Sequence, residues 1–399
     1  MLWIMGSSSL RQAAAAAGLA IACALVLPAA AWFRLHADLP AQEALQGVLG
    51  AWPHLMNEEV RALPFYSAMS GFAAPDIYLQ AMLRAVGRYA VYFGAWYAFI
   101  RLITRANIPN PYGRKATQVA YAGLSMLAHA LFLLNVPWTS LARPLPLLAL
   151  LFGAVALLRG LPRRNADTPR LALRAGLATF AGAMLFKVLL NVHFYHYGFV
   201  LALPATLLAV GFSTCDLPAW LSRKSLRDAR RLRTLAIGFW VVLASSYLLR
   251  SARNLRVQAT TVGFDADRLQ AIPELGEPLQ QSLEWLRTNM DAEHTLLVMP
   301  EGVMLNYQLR RVNPTPYINF MPPELLLFGE SAMLASLKSS APDFIAIVHK
   351  DTSEYGFPYF GTHYGEQLYD WVRKNYQREA VFGALPLTSS NFGVAIYKR

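Results

Sequence analysis

Residues 187–212 read KVLLNVHFYHYGFVLALPATLLAVGF, and the rest of the chain is read outward from this stretch. An apolar run ends in Lys187, Asn191, His193 and His196, turns at Tyr197-Gly198, and a second apolar run begins. Titratable groups at the mouth of two membrane spans are costly unless they meet water, head groups or substrate. The stretch therefore predicts two spans that meet at one membrane face, with polar groups gathered there.

The remainder of the first 250 residues repeats this pattern. A span needs about 20 apolar residues, and seven segments qualify as candidates: 12–33, 85–104, 116–136, 143–159, 171–191, 197–215 and 233–250. Lys and Arg concentrate in alternate connections, at 101–115, 159–174 and 223–233, whereas 136–142 and 192–196 carry none. The positive-inside rule then predicts a cytoplasmic N-terminus and an external C-terminus. The alanine-rich run 13–31 also resembles a signal-peptide core, but its length favours an uncleaved span. Residues 35–80 form an external loop in this scheme.

Composition agrees with a membrane protein. Of 399 residues, 55% are hydrophobic and 15% charged. Residues 1–250 hold 23 Lys/Arg and 8 Asp/Glu, whereas 251–399 hold 13 and 16, so the net +12 divides into +15 and −3. The basic excess lies in short loops between apolar runs, so it is a topology signal and not a nucleic-acid footprint. Cys23 and Cys215 imply neither a disulfide framework nor a cysteine metal site.

Residues 251–399 change character. The segment 278–290 has helical periodicity, TLLVM (295–299), DFIAIV (343–348) and FGVAIY (392–397) read as strands, and 365–376 reads as a helix. The expected fold class is an α-helical polytopic membrane protein of about seven transmembrane helices (residues 1–250), followed by an extracytoplasmic α/β domain (residues 251–399). In such sheets, loops after the strands often form sites. Glu301, Asn306, Arg310 and Arg311 follow the first of these strands; Lys350, Asp351 and Glu354 follow the second and lead into the aromatic loop 355–365.

Four stretches carry a family resemblance: PFYSAMSGFAAPD (64–76), HFYHYGFVLALPA (193–205), MPEGVMLNYQLRRVNPTPY (299–317) and PDFIAIVHKDTSEYGFPYFG (342–361). Their order and layout resemble the C-terminal portion of bacterial GT-C superfamily glycosyltransferases, the group of protein O-mannosyltransferases and the lipid A aminoarabinose transferase. The resemblance implies a polyprenyl-phosphate sugar donor and transfer on the outer face to a glycan, lipid or protein acceptor. It implies an acidic residue in the first external loop as base. The chain departs from the pattern there: the nearest acidic pair is Glu58-Glu59. It is also shorter than such enzymes, as a truncated gene product or a diverged member would be, and a partner membrane subunit is left open.

On that reading Glu58 and Glu59 are the catalytic candidates, with solvated surface acids as the plain alternative. Asp38 and Asp76 are spare carboxylates. Arg84 and Arg88, four apart on one helix face, are candidates to hold the donor phosphate, with lipid head groups as the other partner. Lys187, His193, His196 and Tyr197 approach the same face, and Glu301, Asn306, Arg310 and Arg311 complete the substrate-binding candidates. No cofactor is expected. A divalent metal at His193 and His196 lacks a third ligand, and the lone DxD of Asp265 and Asp267 carries little weight. The expected location is the bacterial inner membrane, multi-pass, with membrane lipid as a partner and no nucleic acid. The competing expectation is a non-catalytic membrane protein with an external sensor or assembly domain.

Overall fold

The computed structural model describes residues 10–50, 57–106, 113–137, 140–160, 168–195, 198–222, 225–388 and 390–399. The chain is mostly helical and divides into two compact units. The first comprises residues 1–51 and 67–248, the second 52–66 and 249–399.

The seven-span expectation is corrected. Among the described residues, only the helices Gly198–Leu221 and Leu226–Val257 are long and apolar enough to cross a membrane. Shorter apolar helical stretches run over Ile21–His36, Val119–Leu134 and Leu145–Ala156. The reasons are local. The helix Leu145–Gly160 has 16 residues, about 24 Å at 1.5 Å per residue, short of a hydrocarbon core of about 30 Å. Pro75–Ala106 is long enough but carries Asp76, Arg84, Arg88, Arg101 and Arg105. Thr168–Leu185 carries Arg170 and Arg174, and the chain then leaves the α-helix for a single 3-10 turn at Phe186–Val188.

In the first unit, the helices Leu145–Gly160, Thr168–Leu185 and Gly198–Gly211 pack against one another. Their contact faces are rich in alanine: Ala149, Ala156, Ala175, Ala178, Ala181, Ala202, Ala205 and Ala209 are all buried. Small side chains let helix backbones approach closely, which Leu at those positions would prevent. Two ion pairs neutralise charge between helices, Arg174–Asp216 at 2.7 Å and Arg101–Asp228 at 3.5 Å, the latter with a fully buried carboxylate.

In the second unit, Thr260–Val262 (β1) pairs antiparallel with Leu269–Ala271 (β2). A separate four-stranded sheet has the order β3-β4-β6-β5: Leu296–Met299, Phe344–Val348, Gly393–Lys398 and Gln377–Gly383. β3 and β4 run parallel, and the other two pairings are antiparallel. Side chains alternate across a strand, and here both faces are covered. Leu297, Met299, Ile345, Ile347 and Ala395 face a core built with Met333, Leu337, Leu368 and Val372. Leu296, Val298, Phe344, Ala346 and Ile396 face the opposite core with Leu283 and Leu286 of the helix Pro273–Asn289. Burial on both faces explains why these strands read as continuous apolar runs. The segment 57–66 joins this unit through Leu63, which packs with Met321 and Tyr355.

Candidate functional site

The first unit has a half-open cavity of about 880 Å³ among its helices, within the range of roughly 300–1,000 Å³ usual for ligand pockets. Its walls are apolar almost throughout, from Val86, Tyr89, Phe93, Leu148 and Trp240 among others. The charged exceptions are Arg174 and Asp216, already paired.

One wall leads to a polar group. Leu141, Pro144 and Leu145 line the cavity, and Arg143 lies in the same stretch. Its guanidinium stands 5.5 Å from the Tyr78 ring centroid and donates to Asn191 Oδ1 at 3.2 Å. Asn191 is buried and donates in turn to the Ala68 carbonyl at 2.8 Å. Leu190 N donates to Ser70 O at 3.2 Å. This close approach uses Gly71, whose φ is +80° and where a Cβ would lie 2.7 Å from Leu190 Cβ. Among the described residues Arg143 has no carboxylate partner, and its Nε makes no hydrogen bond. A half-buried guanidinium without an anion is costly to hold. It is the group in this unit best placed to receive one.

The structure places the sequence candidates as follows. Arg84 and Arg88 are exposed. Their helix lines the cavity with Val86, Tyr89, Ala90 and Phe93; at 100° per residue both arginines fall on the opposite side. Lys187 is exposed, and His193 is fully buried with Nδ1 2.5 Å from Asn191 O. The structure thus brings His193, Asn191 and Arg143 together. His196 and Tyr197 lie outside the described residues. Asp76 sits in the first turn of Pro75–Ala106, the turn that also carries Tyr78 against Arg143.

In the second unit, Glu58 and Glu59 open the short helix Glu58–Ala62, capped by Asn57, whose Oδ1 accepts from Val60 N at 3.0 Å. Both acids are exposed. Asn306 serves the fold: it is buried and donates to Leu296 O and Arg311 O. Arg311 donates to Met290 O at 3.2 Å. Arg310 pairs with Asp267, which also accepts from Tyr307 Oη at 2.8 Å. The DxD carboxylate is therefore spent on Arg310 and Tyr307. Among the described residues no group of three His, Cys, Asp or Glu side chains is arranged to hold a metal ion.

Glu301 belongs to a polar cluster at the carboxyl ends of β3 and β4. It pairs with Lys350 at 2.7 Å. Burial, helped by the neighbouring charge of Glu301, pushes the Glu324 carboxyl above the usual carboxylate range. Its Oε2 is buried with no hydrogen-bond partner. Tyr364 is also buried beside both acids, and burial raises its phenol. Burial lowers His349, whose Nδ1 accepts from Leu387 N at 3.2 Å, so its ring is neutral near pH 7. Perturbed titratable groups gathered at strand ends mark a candidate site.

Sequence reading missed Arg143 and Glu324, and took in Tyr364 only as one ring of the aromatic loop 355–365. Arg143 lies one residue beyond a loop noted for having no Lys or Arg, and Glu324 follows two prolines as an ordinary first-turn acid. Comparisons with family models, curated proteins and solved structures find no match to this chain.

Proposed function

We propose that this protein is a membrane glycosyltransferase that takes a sugar from a polyprenyl-phosphate carrier and passes it to an acceptor on the outer face. The observation that carries the reading is the apolar cavity of about 880 Å³ with Arg143 beside it, which forms no ion pair among the described residues. An apolar chain ending in a phosphate matches that pairing. Each buried methylene contributes about 0.8 kcal/mol, and a guanidinium offers two parallel donors to phosphate oxygens.

The orientation follows from charge. The connection between the two apolar helices and its flanks hold Arg223, Lys224, Arg227, Arg230, Arg231 and Arg233, which assigns that end to the cytosol. The opposite end of Gly198–Leu221 lies next to His193, Asn191 and Arg143, on the outer side. The chain beyond Val257 then also lies outside.

In the transfer, an acceptor oxygen bonds to the anomeric carbon as the carbon–oxygen bond to the carrier phosphate breaks. The phosphate leaves with the electron pair, and the acceptor proton passes to a carboxylate. Arg143 stabilises the charge that grows on the departing phosphate. Asp76 is the acid nearest in sequence to the Tyr78 contact, and it is the base we assign.

The test is transfer from radiolabelled polyprenyl-phosphate sugar by the purified protein in detergent. Arg143→Ala should weaken donor binding by about 10-fold or more, and Arg143→Lys should recover part of it. Asp76→Asn should abolish transfer and leave donor binding intact. Absence of donor binding by the unaltered protein would reject the reading. Donor binding without any transfer would support a non-catalytic lipid-binding protein instead.

A further inference from the structure

The second unit has a cleft of about 420 Å³ lined by Tyr369, Arg373, Tyr376, Arg378 and Tyr397. It holds two guanidiniums and three phenols, and no acid lines it. Residues 251–399 are acidic in sum, with 13 Lys/Arg and 16 Asp/Glu. This concentration of positive charge is therefore set by placement, not by composition.

The fold explains the placement. Tyr369 and Arg373 are four apart on the helix Glu366–Asn375 and share one face. The Arg373 guanidinium lies 6.0 Å from the Tyr369 ring centroid. Arg378 of β5 is directly opposite Tyr397 of β6, so their side chains stand together on one face of the sheet. The ladder shifts register immediately afterwards, between Arg378 and Ala380. Tyr376 joins the helix to β5 and spends its hydroxyl on Pro342 O at 2.7 Å. The Tyr369 and Tyr397 hydroxyls lie 3.5 Å apart. One proton suffices between them, which leaves the other free to donate.

Among the described residues neither Arg373 nor Arg378 forms an ion pair. Asp343, whose charge acts on Tyr376, is engaged by Thr295 N at 2.8 Å and Thr295 Oγ1 at 2.7 Å. We propose that this cleft binds a phosphate group, gripped by Arg373 and Arg378 and hydrogen-bonded by a tyrosine hydroxyl. Two forked donors lining one space suit a tetrahedral dianion. The volume exceeds that of a bare phosphate, which leaves room for the group that bears it. The ligand is therefore a phosphate monoester, from a sugar phosphate or a lipid head group. The proposal goes beyond the transferase reading, because it concerns equilibrium binding by the second unit and requires no transfer.

The experiment is isothermal titration of the full-length protein in neutral detergent. The probes are inorganic phosphate, glucose 6-phosphate, short-chain phosphatidic acid and, as the uncharged control, methyl glucoside. Saturable binding of a monoester with Kd near or below about 1 mM is expected, with none for methyl glucoside. The tighter of glucose 6-phosphate and phosphatidic acid identifies the source. The double variant Arg373→Ala, Arg378→Ala should weaken binding by about 10-fold or more. Tyr397→Phe, which keeps the packed ring, should weaken it by a smaller factor. Both arginines are exposed, so circular dichroism should show an unchanged fold. No monoester binding by the unaltered protein, or equal binding by the double-alanine variant, overturns the proposal.

Discussion

Replacing Glu324 by Gln should stabilise the protein near neutral pH, and the gain should vanish in acid. Glu324 lies in the first turn of the helix Pro322–Phe328, where the helix dipole favours a negative charge. Burial and the nearby Glu301 act against that charge and prevail, so the carboxyl is raised. The sign follows from linkage. A carboxyl whose folded value is raised contributes most to stability below its unfolded value, about 4.3 for Glu. That contribution is lost as pH climbs through the folded value. The buried Oε2 has no partner, and an unsatisfied buried polar atom costs on the order of 1–3 kcal/mol, more when charged. Gln keeps the shape and removes the charge. Near pH 7.5 the variant should gain about 1–2 kcal/mol, at roughly 2–4 °C of Tm per kcal/mol. Near pH 4, where both side chains are neutral, the two proteins should melt together. The assay is thermal unfolding of the full-length protein in detergent, followed by near-ultraviolet circular dichroism from pH 4 to 8. A difference in Tm that stays flat across this range, or grows toward acid, refutes the reasoning.

Three further substitutions test the packing. Asn306→Ala should cost about 1–3 kcal/mol, because it leaves the Leu296 and Arg311 carbonyls without their amide donor; denaturant midpoints measure it. Gly393→Ala should cost about 3 kcal/mol, since a Cβ there would stand 1.8 Å from Ala384 O at the start of β6, and loss of the near-ultraviolet signal is the readout. Ala181→Leu should cost about 1–3 kcal/mol, because Ala181 is fully buried on the helix Thr168–Leu185. Its effect should appear as a lower aggregation temperature in detergent.

Strands were easier to read than spans, for a physical reason. β3, β4 and β6 are buried on both faces, so TLLVM, DFIAIV and FGVAIY announce themselves by unbroken apolar content, and the structure puts strands at Leu296–Met299, Phe344–Val348 and Gly393–Lys398. β5 is different: Gln377, Arg378, Glu379, Val381 and Gly383 are exposed, and it pairs with β6 alone. An edge strand carries no such signature. For spans, average apolarity overstated the count. A run such as 143–159 is apolar enough, yet its helix stops at 16 residues, and the 85–104 segment lies in a helix interrupted by arginines. Hydropathy measures what a segment avoids, not how far its helix extends.

The candidate site shows the same limit from the side of charge. Arg84 and Arg88 drew notice because two arginines four apart form a visible pattern, yet the face they share is opposite the one that lines the cavity. Arg143 forms no pattern at all. What distinguishes it is relational: Asn191 on one side, Tyr78 on another, Leu141 and Pro144 turned into the cavity wall, and, among the described residues, no ion pair with a carboxylate. Each of those neighbours is between 1 and 65 positions away along the chain, so no local window contains the argument. Arg101 and Arg174 make the contrast. They sit in the same unit and each meets an aspartate, which completes their electrostatics and leaves nothing for a ligand to supply. A half-buried cation becomes informative when the fold gives it no counter-ion, because an arriving anion then repays part of its desolvation. If Arg143→Met left donor binding unchanged while raising stability, the missing anion would be no ligand, and the cavity would lose its claim to a phosphorylated lipid.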